Sequence, residues 1–373
     1  MTLSIVVIGL SVTSSWGNGH ATTYRALIEA LAQRDHRVTF LERDMPWYRE
    51  HRDLAKPSTW SVELYQSLPD LAFRFGKTIS IADVVIVGSY VPDGIAVADW
   101  VTTNARGITA FYDIDTPVTL AGLDRGLPYL SAALIPRFDL YLSFTAGDVP
   151  KVVETEYGSP LARVLHCSAD IDVYRGQQSE PKWQLGYLGT YSPDRQDSVE
   201  RLLVAPARAA PDLQFVVAGS QYPAIEWPEN VARIDHLAPS RHAAFYSEQR
   251  FTLNITRADM RALGFSPSVR LFEAAACGTP IISDRWPGIE TILEPGAEIL
   301  LVDDSGDVVE ILRNMPDERR QSIGARARRR ILADHTPAHR ARQLEFYLQE
   351  ATAQRRSKSV NRPSVRSKQA AEI

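Results

Sequence analysis

Three clusters of polar residues in this chain have the types and spacings that chemistry needs. The first is Ser15-Trp16-Gly17-Asn18-Gly19-His20. Its glycines let a backbone approach a substrate closely, and a histidine that titrates near neutrality suits general-base work on a hydroxyl. The second is Phe111-Tyr112-Asp113-Ile114-Asp115-Thr116-Pro117, in which Asp113 or Asp115 could orient His20 and stabilise its charge. The same Asp-x-Asp could hold a divalent metal. Hard cations take more oxygens than two carboxylates supply, so no metal is expected. An Asp turn cap ahead of Thr116-Pro117 is the structural alternative. The third cluster runs from Gly264 to Ser283. Ser266 and Pro267 are the types favoured at a helix N-cap and first helical position, Gly278 suits a left-handed exit, and Pro280 forbids continuation. The free amides of Ser268, Val269 and Arg270 then form an anion pocket, helped by the helix dipole. Glu273 is the one acid in the run LFEAAACG. A diphosphate at the amides and a sugar hydroxyl at the carboxylate would use both features.

Cations surround this third cluster. Arg195 follows Gly189-Thr190 in a loop, Arg257 ends a strand, and Arg270 stands on the helix itself. Each could act on phosphate. Arg270 and Glu273 are three apart, so a structural ion pair competes with that role. A plain surface arginine is the alternative for Arg195. A competing motif is the dinucleotide fingerprint. Gly17 and Gly19 match its first two glycines, Thr22 takes the third place, and Glu42 could pass for the ribose acid.

These residues need a scaffold, and the hydrophobic pattern supplies one. Strands are predicted at Leu3–Ile8, Arg37–Leu41, Asp83–Val87, Ile108–Tyr112, Leu140–Ser143 and Arg163–His166, separated by helical periodicity such as Tyr24, Leu27, Ile28 and Leu31. A second series covers Gln184–Leu188, Leu213–Ala218, Val231–Ile234, Thr252–Ile255, Ile281–Ser283 and Ile299–Val302. Alternation of this kind gives an α/β protein with parallel sheets, whose ligands sit beyond the carboxyl ends of the strands. The expected division is 1–168 and 169–335 as two Rossmann-like domains, then a helix 336–354 that could cross back to the first. A basic disordered tail is expected over 355–373. The stretch 46–76, rich in aromatics and charge, is expected to form irregular helices over the first sheet.

Composition excludes several classes. The chain has 373 residues, 45% hydrophobic and 23% charged, values usual for a globular protein of two domains. A net charge of -4 argues against nucleic acid as a partner. Cys167 and Cys277 lie far apart without metal-like spacing, which suits a reducing compartment. The opening MTLSIVVIGLSV has no basic start and is too short for a membrane span, and no other run approaches membrane length. A soluble cytoplasmic protein is expected.

The motifs WGNGHATTYRALIEAL, FYDIDTP, YLGTYSPDR and SPSVRLFEAAACGTPIISDRWPGIE, in that order, resemble the GT-B glycosyltransferases, the group 1-like transferases, and most closely their CgeB-like branch. The resemblance implies two Rossmann-like domains facing a cleft. The first would take the acceptor at Gly17, Asn18 and Gly19. The second would take a nucleoside-diphosphate sugar at Gly189, Thr190, Arg195, Arg257, Ser266, Ser268, Val269, Arg270 and Glu273. The donor is expected to be a UDP-sugar, with dTDP or GDP as alternatives, and no further cofactor. The resemblance places Arg195 near the family's loop lysine, with Thr190 replacing its usual arginine. His236 could contact the base, with a core or loop histidine as the favoured alternative, and Gly288-Ile289-Glu290 resembles the later Gly-x-x-Glu of these families, which implies contact with the sugar or closure of the site. Many retaining members carry two glutamates separated by seven residues; here the first place holds Phe265, which puts that sugar contact and retention in doubt. His20 leans to inversion, and Glu273 with its surroundings to retention. A nucleotide-sugar epimerase of the same fold and a non-catalytic spore- or surface-assembly protein are the other classes. A nicotinamide dehydrogenase is more distant.

Overall fold

A computed structural model describes residues 2–360. Its first sheet has seven strands: β1 (Ser4–Gly9), β2 (Arg37–Arg43), β3 (Ser61–Tyr65), β4 (Val84–Gly88), β5 (Ile108–Asp113), β6 (Leu140–Ser143) and β7 (Ala162–Val164). Their order is β3-β2-β1-β4-β5-β6-β7, and every pairing is parallel. The second sheet has six: β8 (Trp183–Leu188), β9 (Phe215–Ala218), β10 (Val231–Ile234), β11 (Gln249–Asn254), β12 (Ile281–Ser283) and β13 (Leu300–Leu301). Their order is β10-β9-β8-β11-β12-β13, again all parallel. Strands sealed by helices on both faces read as continuous apolar runs, as in SIVVIG of β1 and VVIVG of β4.

Strand order reverses at β1/β4 in one sheet and at β8/β11 in the other. Such switch points open a crevice at the carboxyl ends of the strands. The loop after β1 leads into His20 at the start of the next helix, and the loops that follow β5, β8 and β11 carry Asp115, Gly189 and Arg257. Seven of the helices are α1 (His20–Ala32), α2 (Leu68–Ile81), α3 (Thr116–Gly122), α4 (Pro193–Val199), α5 (Val269–Ala276), α6 (Asp317–Asp334) and α7 (Pro337–Val360), of which α1, α4 and α5 line the cleft between the domains. Helix α1 buries Tyr24, Leu27, Ile28 and Leu31 on one face, the helical spacing seen in the sequence.

Two expectations change. The segment 46–76 is not only irregular helix: it contributes the edge strand β3 and the start of α2, which Ser67 caps by accepting from the Asp70 amide. Strand β3 is short and lies at the sheet edge with Ser61 and Glu63 exposed, so its apolar signal is weak. Helix α7 runs to Val360, past the expected end at 354, and Arg355 donates to the Gly107 carbonyl (2.5 Å). The rest of the expected disordered tail, 361–373, lies outside the described residues.

Helix α7 is last in sequence yet packs on the first domain. Tyr347 donates to the Val164 carbonyl (3.0 Å) and Gln354 to that of Pro160 (2.8 Å). Glu345 accepts from Arg34 and meets His36 Nε2 at 2.7 Å. At the crossing, the buried Arg340 donates to the Cys167 carbonyl (3.2 Å), so the two strands of chain that join the domains are tied together.

The Arg34 hydrogen bond, with His36 adding to it, lowers the Glu345 carboxyl from 4.5 to about 2. A depressed carboxyl stabilises the fold above its unfolded value, and that stabilisation is lost as pH falls through the folded one. Glu345→Gln should therefore cost of order 1 kcal/mol in urea unfolding at pH 7, a value kept small by solvent screening, and the cost should shrink as pH falls below the ordinary carboxylate range and vanish only below the folded value. A difference that stays constant with pH would contradict this.

Candidate active site

The carboxyl ends of the two sheets face each other across a cleft of about 320 Å³. Gly17, Asn18, Gly19, His20, Thr22 and Asp115 line it from the first domain. Gly189, Thr190, Arg195, Arg257, Ser268, Val269, Arg270 and Glu273 line it from the second.

On the first side the loop 11–19 is built around Glu42. Its carboxylate accepts from Ser11 Oγ (3.0 Å), the Val12 amide (2.7 Å), the Thr13 amide (2.9 Å) and Thr13 Oγ1 (2.6 Å). Fully buried and satisfied in this way, Glu42 shapes the loop and offers nothing to a ribose. The dinucleotide reading loses its acid. Asn18 is likewise spent on the loop: its amide donates to Ser11 and Ser14 carbonyls and its oxygen accepts from the His20 amide. Gly17 holds a φ of 60°, and a Cβ there would meet Gln221 of the facing domain at 3.0 Å, so glycine is needed for conformation and approach alike. At Gly19 a Cβ would meet nothing within 4 Å.

His20 opens α1. Its Nε2 lies 3.8 Å from Asp115 Oδ2, and its buried Nδ1 has no hydrogen-bond partner among the described residues. Asp115 also accepts from Tyr90 (2.9 Å) and Arg257 (3.3 Å). Burial alone would raise its carboxyl, but His20, Arg257 and Tyr90 outweigh burial and hold it below the usual value. A turn of the ring that gives the Nε2 hydrogen to Asp115 leaves the Nδ1 lone pair as the base.

The structure separates the two aspartates. Asp113 ends β5 inside the core, bonded by Tyr141, Thr119 (2.8 Å) and the Asp115 amide (3.3 Å), and does not line the cleft. Burial pushes it up to about 6 despite the Tyr141 and Thr119 bonds. Of the candidate catalytic set, His20 and Asp115 come together and Asp113 does not. Among the described residues, no three His, Cys, Asp or Glu side chains gather as metal ligands.

On the second side, helix α5 begins at Val269, two residues later than the Ser266-Pro267 pattern predicts. Ser266 is not the cap: it is buried, exchanges a hydrogen bond with Thr145 of the first domain (2.9 Å), and does not line the cleft. Its place among the donor-binding candidates is therefore withdrawn. Ser268 occupies the N-cap position, but its hydroxyl donates to Asn254 Oδ1 (2.7 Å), so no side chain caps the helix. The first amides of a helix have no intrahelical partner, which leaves those of Val269 and Arg270 for a ligand in the cleft. Asn254 Oδ1 also accepts from Arg270 (2.8 Å), whose Nε donates to the Leu188 carbonyl (2.7 Å) and whose guanidinium lies over the Tyr187 ring. The Arg270–Glu273 pair is thus not formed. Arg195 donates to the Thr190 carbonyl (2.5 Å), and Arg257 spans the cleft between Asp115 and Asp194, 3.3 Å from each.

Glu273 is buried to 3% exposure yet opens on the cleft. It accepts from Tyr174 (2.6 Å), Tyr246 (3.1 Å) and, across the domains, Thr22 (3.4 Å). Sequence reading missed these three donors; nothing in their spacing points to one another. His236 lines the cleft, but Glu290 is exposed and, like Gly288, lies outside its lining. Gly288 instead packs on Phe265. That ring sits where a Cβ on Gly147 or Gly288 would come within 2.7 or 2.3 Å, and its residue holds φ at 51°. Its carbonyl accepts from Ala146 of the first domain (2.9 Å). Phe265 is a domain contact, not a vacated acid site. Phe265→Glu should lose about 2 kcal/mol in thermal unfolding by removing this ring from its contact with Gly147 and Gly288, with no gain in nucleotide affinity. Tighter nucleotide binding in that variant would contradict the placement.

Residues 195–345 match the family model described as Glycosyl transferase-like. No curated protein matches the chain. Among solved structures, Anabaena HepE in complex with UDP-glucose shares 14% identity at a TM-score of 0.70, over 93% of this chain and 100% of that one. Sucrose-phosphate synthase from Thermosynechococcus elongatus shares 14% at 0.65, over 94% and 99%. An alpha-glucosyltransferase in complex with UDP-glucose and DNA containing an abasic site shares 13% at 0.67, over 94% and 100%. The fold is GT-B: two Rossmann-like parallel-sheet domains facing a cleft. Among the described residues no helix is long and apolar enough to cross a membrane.

Proposed function

We propose that this protein is a glycosyltransferase that moves a sugar from a nucleoside diphosphate to an acceptor hydroxyl. The observation that carries the reading is the uncapped start of α5, open on the cleft beside Arg195, Arg257 and Glu273 and opposite the His20–Asp115 pair. The diphosphate lies at the Val269 and Arg270 amides, the ribose hydroxyls at Glu273, and the acceptor beside Gly17 and Gly19. The acceptor oxygen bonds to the anomeric carbon as the bond from that carbon to the phosphate oxygen breaks. The acceptor proton passes to His20 Nδ1, and Asp115 stabilises the imidazolium. The electron pair leaves on the diphosphate, where amides and arginines meet the developing charge without requiring a metal. Preorganised donors of this kind are usually the largest catalytic term.

The pattern SPSVRLFEAAACGTPIISDRWPGIE supports the CgeB-like branch, and the donor's nucleotide is taken as UDP first, with dTDP and GDP next. The likeness to HepE with UDP-glucose supports that order. A net charge of -4 favours an acceptor other than nucleic acid, and two buried free cysteines fit the cytoplasm. A thermal-shift panel of UDP, dTDP, GDP and their sugars tests the class. A nucleotide at a hundredfold its Kd should add about 2.7 kcal/mol. No response to any nucleoside diphosphate contradicts it, and isomerised donor without acceptor would indicate an epimerase.

A further inference from the structure

Asp115 stands at the N-cap position of α3, yet its side chain makes no capping hydrogen bond. Its carboxylate is turned to the cleft instead, and its side-chain contacts converge on one oxygen. Oδ2 accepts from Tyr90 Oη (2.9 Å) and Arg257 Nη1 (3.3 Å), and His20 Nε2 lies 3.8 Å away. Arg257 belongs to the second domain and also pairs with Asp194, and the proposed function gives it a diphosphate to meet. Tyr90 belongs to the same domain as Asp115 and does not line the cleft. Among the described residues it makes the shortest side-chain contact to that carboxylate, and the donor makes no claim on it.

The backbone at Tyr90 is strained. It lies in the loop after β4 and holds φ at 63°. For a bulky residue this left-handed region is an outlier, and such outliers persist at functional sites where the surrounding packing enforces them. That packing is visible around the ring. It meets the buried Tyr129 with centroids 4.7 Å apart, and Tyr129 is anchored by a 2.9 Å hydrogen bond with Thr119. It also meets the His20 ring with centroids 5.4 Å apart. The next residue, Val91, is buried. One side chain therefore touches both members of the His20–Asp115 pair, the ring against the imidazole and the hydroxyl on the carboxylate. Burial, and after it Asp115, drives the phenol well above its ordinary value, so the hydroxyl stays a donor.

We infer that Tyr90 is a positioning residue for sugar transfer: its left-handed backbone fixes a hydroxyl that keeps the Asp115 carboxylate beside His20 once the diphosphate competes for Arg257. This rests on the reading that His20 and Asp115 handle the acceptor proton. Without the hydroxyl, the carboxylate keeps no donor from its own domain except His20 itself. It then follows Arg257 toward the second domain, and the imidazole loses its partner.

The test is a double-mutant cycle in the full chain with Tyr90→Phe, Asp115→Asn and both together. Tyr90→Phe keeps the ring and its packing and removes only the hydroxyl. The rate read is UDP release from saturating UDP-glucose with water as the acceptor, beside UDP titrations. Tyr90→Phe should slow release roughly ten- to hundredfold, the worth of one hydrogen bond to a charged group, and leave UDP affinity unchanged. The double variant should match Asp115→Asn within about twofold, because both changes act through one carboxylate. Losses that multiply in the double variant mean a separate structural role and overturn the inference, as does a Tyr90→Phe rate equal to the wild type's. Crystal structures of the wild type and Tyr90→Phe with UDP give a second readout that needs no turnover. The Asp115 carboxylate should leave its place beside His20 in the variant, and a carboxylate that stays there overturns the inference. If it moves while Asp115→Asn releases UDP as fast as the wild type, the positioning stands and the reading of His20 and Asp115 as the proton-handling pair fails.

Discussion

Replacing His20 by alanine is expected to slow sugar transfer by roughly 10²–10⁴-fold, the usual contribution of a positioned general base, while UDP affinity changes by no more than about threefold. The asymmetry follows from geometry. His20 stands on the acceptor wall at the start of α1, and the proposed diphosphate contacts all come from the opposite wall. The aspartates provide an internal control. Asp115→Asn removes the carboxylate that faces His20 and should share much of the loss in kcat. Asp113→Asn should leave kcat largely unchanged and act on stability, because Asp113 bonds Tyr141 and Thr119 in the core. Steady-state rates with saturating donor, beside UDP titrations, check all three variants. Unchanged turnover in His20→Ala would remove the base assignment.

Glu273→Gln is expected to weaken UDP by about ten- to hundredfold, the cost of losing hydrogen bonds from ribose to a charged acceptor. The same change should cost about 1–3 kcal/mol in stability. The buried phenols of Tyr174 and Tyr246 both donate to this group, and an amide nitrogen facing either one leaves a donor unsatisfied. The two effects separate with 2′-deoxy-UDP. The wild type should prefer UDP over the deoxy form, and Glu273→Gln should bind both alike. Equal preference in the two proteins would mean that the carboxylate serves the fold alone.

Much of the architecture is legible in the sequence because buried parallel strands leave unmistakable apolar runs, and SIVVIG, VVIVG and FVVA sit where those runs lie. The exit of α5 at Gly278, with φ of 76°, is legible for a local reason, since glycine takes the left-handed conformation without steric cost. Its start is not. Ser266 and Pro267 have the right types for a cap, but Thr145 claims the Ser266 hydroxyl and Asn254 claims that of Ser268. Tertiary partners thus delay the helix. The two aspartates illustrate a second limit. Residues two apart share a face within a strand. Here β5 ends at Asp113, and Asp115 already lies past the turn with φ -130° and ψ 52°, so only Asp115 reaches the cleft. Tyr174 and Tyr246 meet Glu273 from 99 and 27 residues away, a convergence that only the folded chain makes visible.

The most direct measurement is a crystal structure of the protein with UDP. Diphosphate oxygens should lie about 2.7–3.2 Å from the Val269 and Arg270 amides, with a ribose hydroxyl on Glu273. A nucleotide bound elsewhere, with the start of that helix unengaged at saturating UDP, would contradict the assignment of this cleft.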